Sequence, residues 1–243
     1  MEIQEIPRRK DFIHHQQSRF LDSVREIVFG AEDGMVSTLG ALTGIAIGTQ
    51  NHFTVVLSGF VIVAVESISM GVGSYLSAKS VQEVNNRKLD EERIELDEYP
   101  EEERRELIEM YVRDGWPEKL ALEMANTAAK DKSLLLKEMA YRELAITPEE
   151  GNPLKNGLFM LVSYIVGGAI PVLPYLLLSS MRQGVTVSVI ATLIGLFCLG
   201  VATTKFTKRS WWKSGLEITA LASVAAIVGY AIGSLSNRTL GLS

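Results

Sequence analysis

The sequence predicts an all-α membrane protein: five transmembrane helices, with a cytoplasmic insert of three to four helices between the second and the third. Three observations carry that expectation. Hydrophobic residues make up 47% of the 243 positions and mean hydropathy is +0.16, high for a chain in which 22% of residues are charged, so the average mixes two kinds of segment. The charge is uneven: Lys79 to Glu150 holds 20 of the 29 acidic and 12 of the 24 basic residues, leaving an apolar, slightly basic remainder. Finally, crossing hydrocarbon as a helix takes about 20 mostly apolar residues, and five runs qualify.

A polar arm, residues 1–24, has no apolar stretch of the kind a cleavable signal needs. The first span is expected over Ile27–Thr49 and the second over Phe53–Leu76, with only Gln50-Asn51-His52 between them, room for a tight helical hairpin. Residues 25–80 thus form a first membrane unit. Small residues recur every fourth position at Gly40, Gly44 and Gly48, and again at Gly229 and Gly233, the pattern that lets helix backbones approach closely in lipid.

The insert, residues 81–153, reads as helices throughout. Gln82–Leu96 leads to a break at Pro100, Glu101–Arg113 stops at Asp114-Gly115, and Pro117 is suited to the first turn of a third helix. Asp131–Ala145 makes a fourth, ended by Thr147-Pro148.

Residues 154–243 return to the membrane, with spans at Gly157–Leu178, Gly184–Thr204 and Leu216–Leu235. Pro171 and Pro174 predict a kinked or broken third span. Glu217 is expected near an interface, paired with Lys213. Basic residues orient the chain: Arg8, Arg9, Lys10, Arg19 and Arg25 precede the first span, and Lys205, Lys208, Arg209 and Lys213 separate the fourth from the fifth. The other connections are nearly free of them, with Arg182 after the third span and Arg238 in the tail. The N-terminus and insert are therefore expected in the cytoplasm and the C-terminus outside. A soluble bundle would need five almost uncharged core helices.

Two sets of residues carry chemistry. Glu92 and Glu95 are three apart, as are Glu103 and Glu106, so each pair shares one helical face, and the short link at Pro100 lets the helices fold together. Glu143, with Met139 one turn earlier, is placed to close the cluster. Facing carboxylates repel unless a cation sits between them; the alternative is a solvated acidic face interleaved with Arg93, Arg104 and Arg105. In the membrane runs, Glu66 lies halfway along the second span, beyond reach of water by snorkelling, with Met70 one turn on. Ionisable groups there are functional candidates by default, and a thioether beside a carboxylate suits a borderline transition metal better than magnesium or calcium. Glu32 and Asp33 lie one or two turns inside the first span. Metal binding requires deprotonation while burial favours the protonated form, which suits such a carboxylate to exchanging protons for cations. No phosphate-binding loop, dinucleotide fingerprint or paired-cysteine motif is present, and Cys198 has no second cysteine to pair with.

The segments REIVFGAEDGMVSTLGALTGIAIG (Arg25–Gly48), SISMGVGSYLSAKS (Ser67–Ser80) and GGAIPVLPYLL (Gly167–Leu177) resemble the vacuolar iron transporter family. The resemblance covers nearly the whole chain after the arm and implies a homodimeric antiporter exporting cytosolic Fe²⁺, with Mn²⁺, Co²⁺ and Zn²⁺ as further candidate cargo. It implies a metal path through Asp33 and Met70 and an insert site of Glu92, Glu95, Glu103, Glu106, Met139 and Glu143. No prosthetic group and no nucleic acid partner are implied. Its setting would be the plasma membrane of a prokaryote or the vacuolar membrane of a eukaryote. Two positions depart from the family pattern: Ala140 stands where a second methionine precedes the Glu143 motif, and the membrane glutamate expected at Ile62 appears one turn later as Glu66, on the same helical face. Two rival expectations stay open. A membrane-anchored ferroxidase would need histidine in its di-iron site, and the insert has none. A metal-sensing protein that regulates a partner through the insert would leave Glu66 without a role.

Overall fold

In the computed structural model, residues 21–146 and 151–240 are described, and among them all regular structure is helical. The helices run α1 (Leu21–Thr49), α2 (His52–Glu98), α3 (Pro100–Arg113), α4 (Glu118–Ala128), α5 (Lys132–Arg142), α6 (Pro153–Leu177), α7 (Met181–Thr207) and α8 (Trp211–Leu240). Arg8, Arg9, Lys10, Arg19 and the Thr147-Pro148 stop lie outside the described residues, as does the side chain of Arg238.

Among the described residues, four helices are long and apolar enough to cross a membrane: α2, α6, α7 and α8. The 29-residue α1 has the length, but Glu26, Glu32 and Asp33 in its first half keep its composition below that of the others. Its neighbours account for the tolerance, since α1 packs against α2, α6, α7 and α8, and a helix enclosed by helices need not match lipid.

Residues Gln50 and Asn51 make the α1–α2 hairpin. Gln50 takes a left-handed backbone (φ 52°), and the Asn51 side chain accepts from the Thr54 N–H at 2.9 Å, capping α2. That helix then continues for 47 residues without a break. At 1.5 Å per residue it is about 70 Å long, more than twice a hydrocarbon core of about 30 Å. The first insert helix expected from the sequence is thus the far end of α2, and the chain reverses at a single residue, Tyr99. Pro100 is the first residue of α3 rather than a break before it, because its missing N–H would have no partner in a first turn. Pro117 sits just ahead of α4, its carbonyl accepting from Leu120 and Ala121.

The insert has its own apolar core of Leu96, Leu107, Met110, Tyr111, Ala121, Ala125, Ala128, Leu135 and Met139. Ion pairs hold its rim: Lys132 with Asp97 links α5 to α2, and Arg142 with Asp114 links α5 to the end of α3. Arg142 also lies 4.3 Å over the Tyr111 ring.

In the membrane bundle, small residues decide which helices touch. A Cβ on Gly229 would lie 2.0 Å from the Gly40 carbonyl oxygen, and one on Gly233 2.3 Å from that of Gly44, so the two glycine rows meet as the α1–α8 contact. Between α1 and α6, a Cβ on Gly167 would lie 2.3 Å from the Ala31 oxygen. The prolines do not break α6, which runs through both to Leu177. Ser188 on α7 donates to the Pro171 carbonyl at 2.8 Å and braces that turn. Glu217 pairs with Arg209 at 3.0 Å rather than with Lys213, whose ammonium lies 5.5 Å over the Trp212 ring.

Candidate metal path and insert site

In the insert, the reversal at Tyr99 lays α3 back along the end of α2, and α5 brings its C-terminal turn against both. One oxygen each of Glu92, Glu103 and Glu143 lies within 4.8 Å of the other two. Glu92 is 2% and Glu103 7% exposed, while Glu143 is open to solvent. The two expected pairs are thus split: Glu92 and Glu103 point inward, whereas Glu95 and Glu106 are exposed at the rim, near enough for their charges to act on the inner three. Met139 is fully buried in the apolar core one turn before Glu143. Among the described residues, Glu92 Oε1 and Glu103 Oε2 have no hydrogen-bond partner.

These charges oppose one another. Burial, and then the carboxylates of Glu143, Glu103 and Glu95, push the Glu92 carboxyl up to about 8. Burial and the neighbouring carboxylates likewise raise Glu103 and Glu143 above the usual carboxylate range. At neutral pH such a cluster holds a proton and has oxygen atoms to offer. A divalent cation would supply the missing partner and displace the proton. An ordinary solvated acidic face has neither buried carboxylates nor orphaned oxygens, so the donor set fits a hard or borderline cation.

In the bundle, Asp33 and Glu32 are partly buried on α1. Glu66 on α2 lies within electrostatic reach of Asp33. Beside them, Tyr164 donates to Ser37 Oγ at 2.7 Å, and Ser37 donates to the Asp33 carbonyl at 2.6 Å. The sequence places Glu66 inside a span; the structure puts it on the outward face of α2, between Val65 at 59% and Ile68 at 57% exposure. The inward stripe of this helix is Val55, Gly59, Ser67 and Gly71, directed at α6. Arg25 lies 3.8 Å from Glu26.

Met70 lines a cleft of about 740 Å³ between α1, α2 and α6, at the end of the bundle nearest the insert. Glu26 and Met160 line the same cleft, and neither was singled out from sequence. Glu26 is 5% exposed, and its Oε2 has no hydrogen-bond partner among the described residues. Its place seven residues before Asp33 (two helical turns, hence the same face) was the available signal.

Known proteins resemble this one along its length. The chain is 28% identical over 225 residues to vacuolar iron transporter 1 of Arabidopsis thaliana, covering 91% of this chain and 90% of that protein. It is 32% identical over 237 residues to the vacuolar iron transporter of Centaurea cyanus, covering 92% and 93%. With that of Toxoplasma gondii the identity is 26% over 230 residues, covering 90% and 76%. The sequence pattern that defines the VIT family matches residues 24–234, which takes in α1, its glycine row, the long α2, the acidic cluster and most of α8: the chain belongs to the VIT family.

Proposed function

We propose that the chain is a homodimeric carrier that exports cytosolic Fe²⁺ in exchange for protons, with Mn²⁺, Co²⁺ and Zn²⁺ as further candidate cargo. The observation that carries this is the line of acidic groups from the Glu92, Glu103 and Glu143 cluster of the insert, through Glu26 in the cleft beside Met70, to Asp33 two turns further along α1. A carboxylate must release its proton to bind a cation, which suits such a line of groups to exchanging one for the other. The names of the relatives support iron as the cargo.

Five spans follow if α1 is counted, and its enclosure by four apolar helices supports that count. An odd number of spans puts the termini on opposite sides and the insert on the side of the N-terminus, and the basic residues around Arg25 and between the fourth and fifth spans support the cytoplasm as that side. The insert, residues 81–153, captures the ion on Glu92, Glu103 and Glu143, with Glu95, Glu106 and Met139 around them. The ion then enters the cleft at Glu26 and Met70 and passes Asp33 and Glu66. Exposure of Glu66 on an apolar helix face supports a second copy of the chain there, because a carboxylate facing lipid is expensive.

Reconstitution in vesicles tests the function. An inward-acid pH gradient should drive Fe²⁺ uptake, and Asp33→Ala and Met70→Ala should each reduce the initial rate at least about tenfold, near 1.4 kcal/mol in the barrier. Equal rates in wild type and both variants would overturn the path.

A further inference from the structure

Met160 has no part in the transport path set out above. It is 4% exposed on the first half of α6 and lines the cleft together with Met70 and Glu26. Close backbone approach fixes its position. A Cβ on Gly30 would lie 2.7 Å from the Met160 carbonyl oxygen and 3.2 Å from its sulfur. Gly30 is one turn after Glu26 on α1, so the thioether is held on the same face of α1 as the buried carboxylate.

A buried methionine is ordinarily packing, and on its own this one would be. The cleft, however, holds a second methionine side chain, Met70, and a carboxylate whose Oε2 is buried without a hydrogen-bond partner. Arg25 lies 3.8 Å from the other oxygen, Oε1, which leaves Oε2 as the buried carboxylate oxygen that a cation can take as its partner. Gln82 and Asn85, on the stretch of α2 that leads to the insert, also line the cleft, so the cavity lies on the side of the bundle facing the acidic cluster. Thioether sulfur is a soft donor: it strengthens a site for Fe²⁺, Co²⁺, Zn²⁺ or Cd²⁺ and adds nothing for Mg²⁺ or Ca²⁺.

We propose that Met160 supplies a second thioether, beside Met70 and the Glu26 carboxylate, to a transient metal site in this cleft, and so sets the preference for borderline and soft divalent cations. This rests on the transport function proposed above. The site is loaded and emptied once per cycle, so its ligands are suited to selection rather than to storage.

Initial transport rates of full-length protein in vesicles, measured against concentration for Co²⁺ and Mn²⁺, test it with Met160→Leu, which keeps the volume and removes the donor. The KM for Co²⁺ should rise roughly tenfold, the affinity of one weak ligand bond, while that for the harder Mn²⁺ changes less than about twofold. Unchanged constants for both metals, or equal rises as lost packing would give, overturn the proposal. If the wild-type protein moves neither of these metals nor Fe²⁺, the transport function itself fails. Should Met160→Leu not fold, X-ray absorption of Cd²⁺ bound to full-length protein decides, in a Glu92→Gln, Met139→Leu background that weakens the insert site. Two sulfur neighbours support the site; one or none overturns it.

Discussion

In Glu92 burial and charge act in the same direction, both against ionisation. Its carboxyl titrates at about 8 in the folded protein, against an ordinary value near 4.3 when unfolded. Between those values the unfolded chain has released a proton that the folded chain keeps, so without metal the insert loses stability as pH rises from about 4.3 to about 8. Metal-free protein should therefore melt at a lower temperature at pH 8.5 than at pH 5.5, and Glu92→Gln should remove most of the difference; thermal unfolding in chelator checks both. Metal binding has the opposite dependence. Each proton displaced on binding strengthens it about tenfold per pH unit up to about pH 8. Calorimetric titration of Mn²⁺ in buffers of different ionisation enthalpy should show that proton release, and Glu92→Gln should reduce it.

Among the helices, the contact between α1 and α8 is the least tolerant of added atoms. Gly229→Ala places a methyl 2.0 Å from the Gly40 oxygen, which no flexible side chain can yield to, and should cost about 1–3 kcal/mol in separated helices and lost packing. Gly48 is the control in the same seam: a Cβ there would lie 3.6 Å from the Gly233 oxygen, an ordinary contact, and Gly48→Ala should be neutral or stabilise by up to about 1 kcal/mol through helix propensity. Melting temperatures of the purified protein in one detergent compare the two. The uninterrupted α2 is the other element with consequences, because Met70, Glu92 and Glu95 all sit on a single helix. A continuous helix thus joins the cleft at Met70 to the acidic cluster of the insert.

The whole molecule makes a statement about sides. If the chain crosses the membrane five times, the α1–α2 hairpin and the insert face opposite compartments. In a Cys198→Ser background, a cysteine at Gln50 should react with an impermeant maleimide only from outside, and one at Glu98 only from the cytoplasm. Labelling of both from one side would rule out the five-span arrangement. Two copies meeting on the outward face of α2 would also let a cysteine at Val65 cross-link between chains.

Much of this was legible in sequence because it is local. The apolar runs in α2, α6, α7 and α8 follow from window composition, the α1–α2 hairpin from the short polar link Gln50-Asn51-His52, and the approach of the α2 and α3 acids from the short link at Pro100. What only the tertiary structure decided is which helix faces meet. The period of α2 is the same whether Glu66 points inward or outward, and only its packing against α6 turned that carboxylate out. Four-residue glycine rows mark close contacts without naming their partners, so the meeting of Gly40 and Gly44 with Gly229 and Gly233 emerged only from the packed bundle. The same holds for Arg209 taking Glu217, for the choice of Glu92 and Glu103 over Glu95 and Glu106 as the buried carboxylates, and for Glu26 and Met160. Those last two are far apart in sequence and share a cleft because Gly30 lets α1 and α6 touch, and long-range contact of that kind leaves no period to read along the chain.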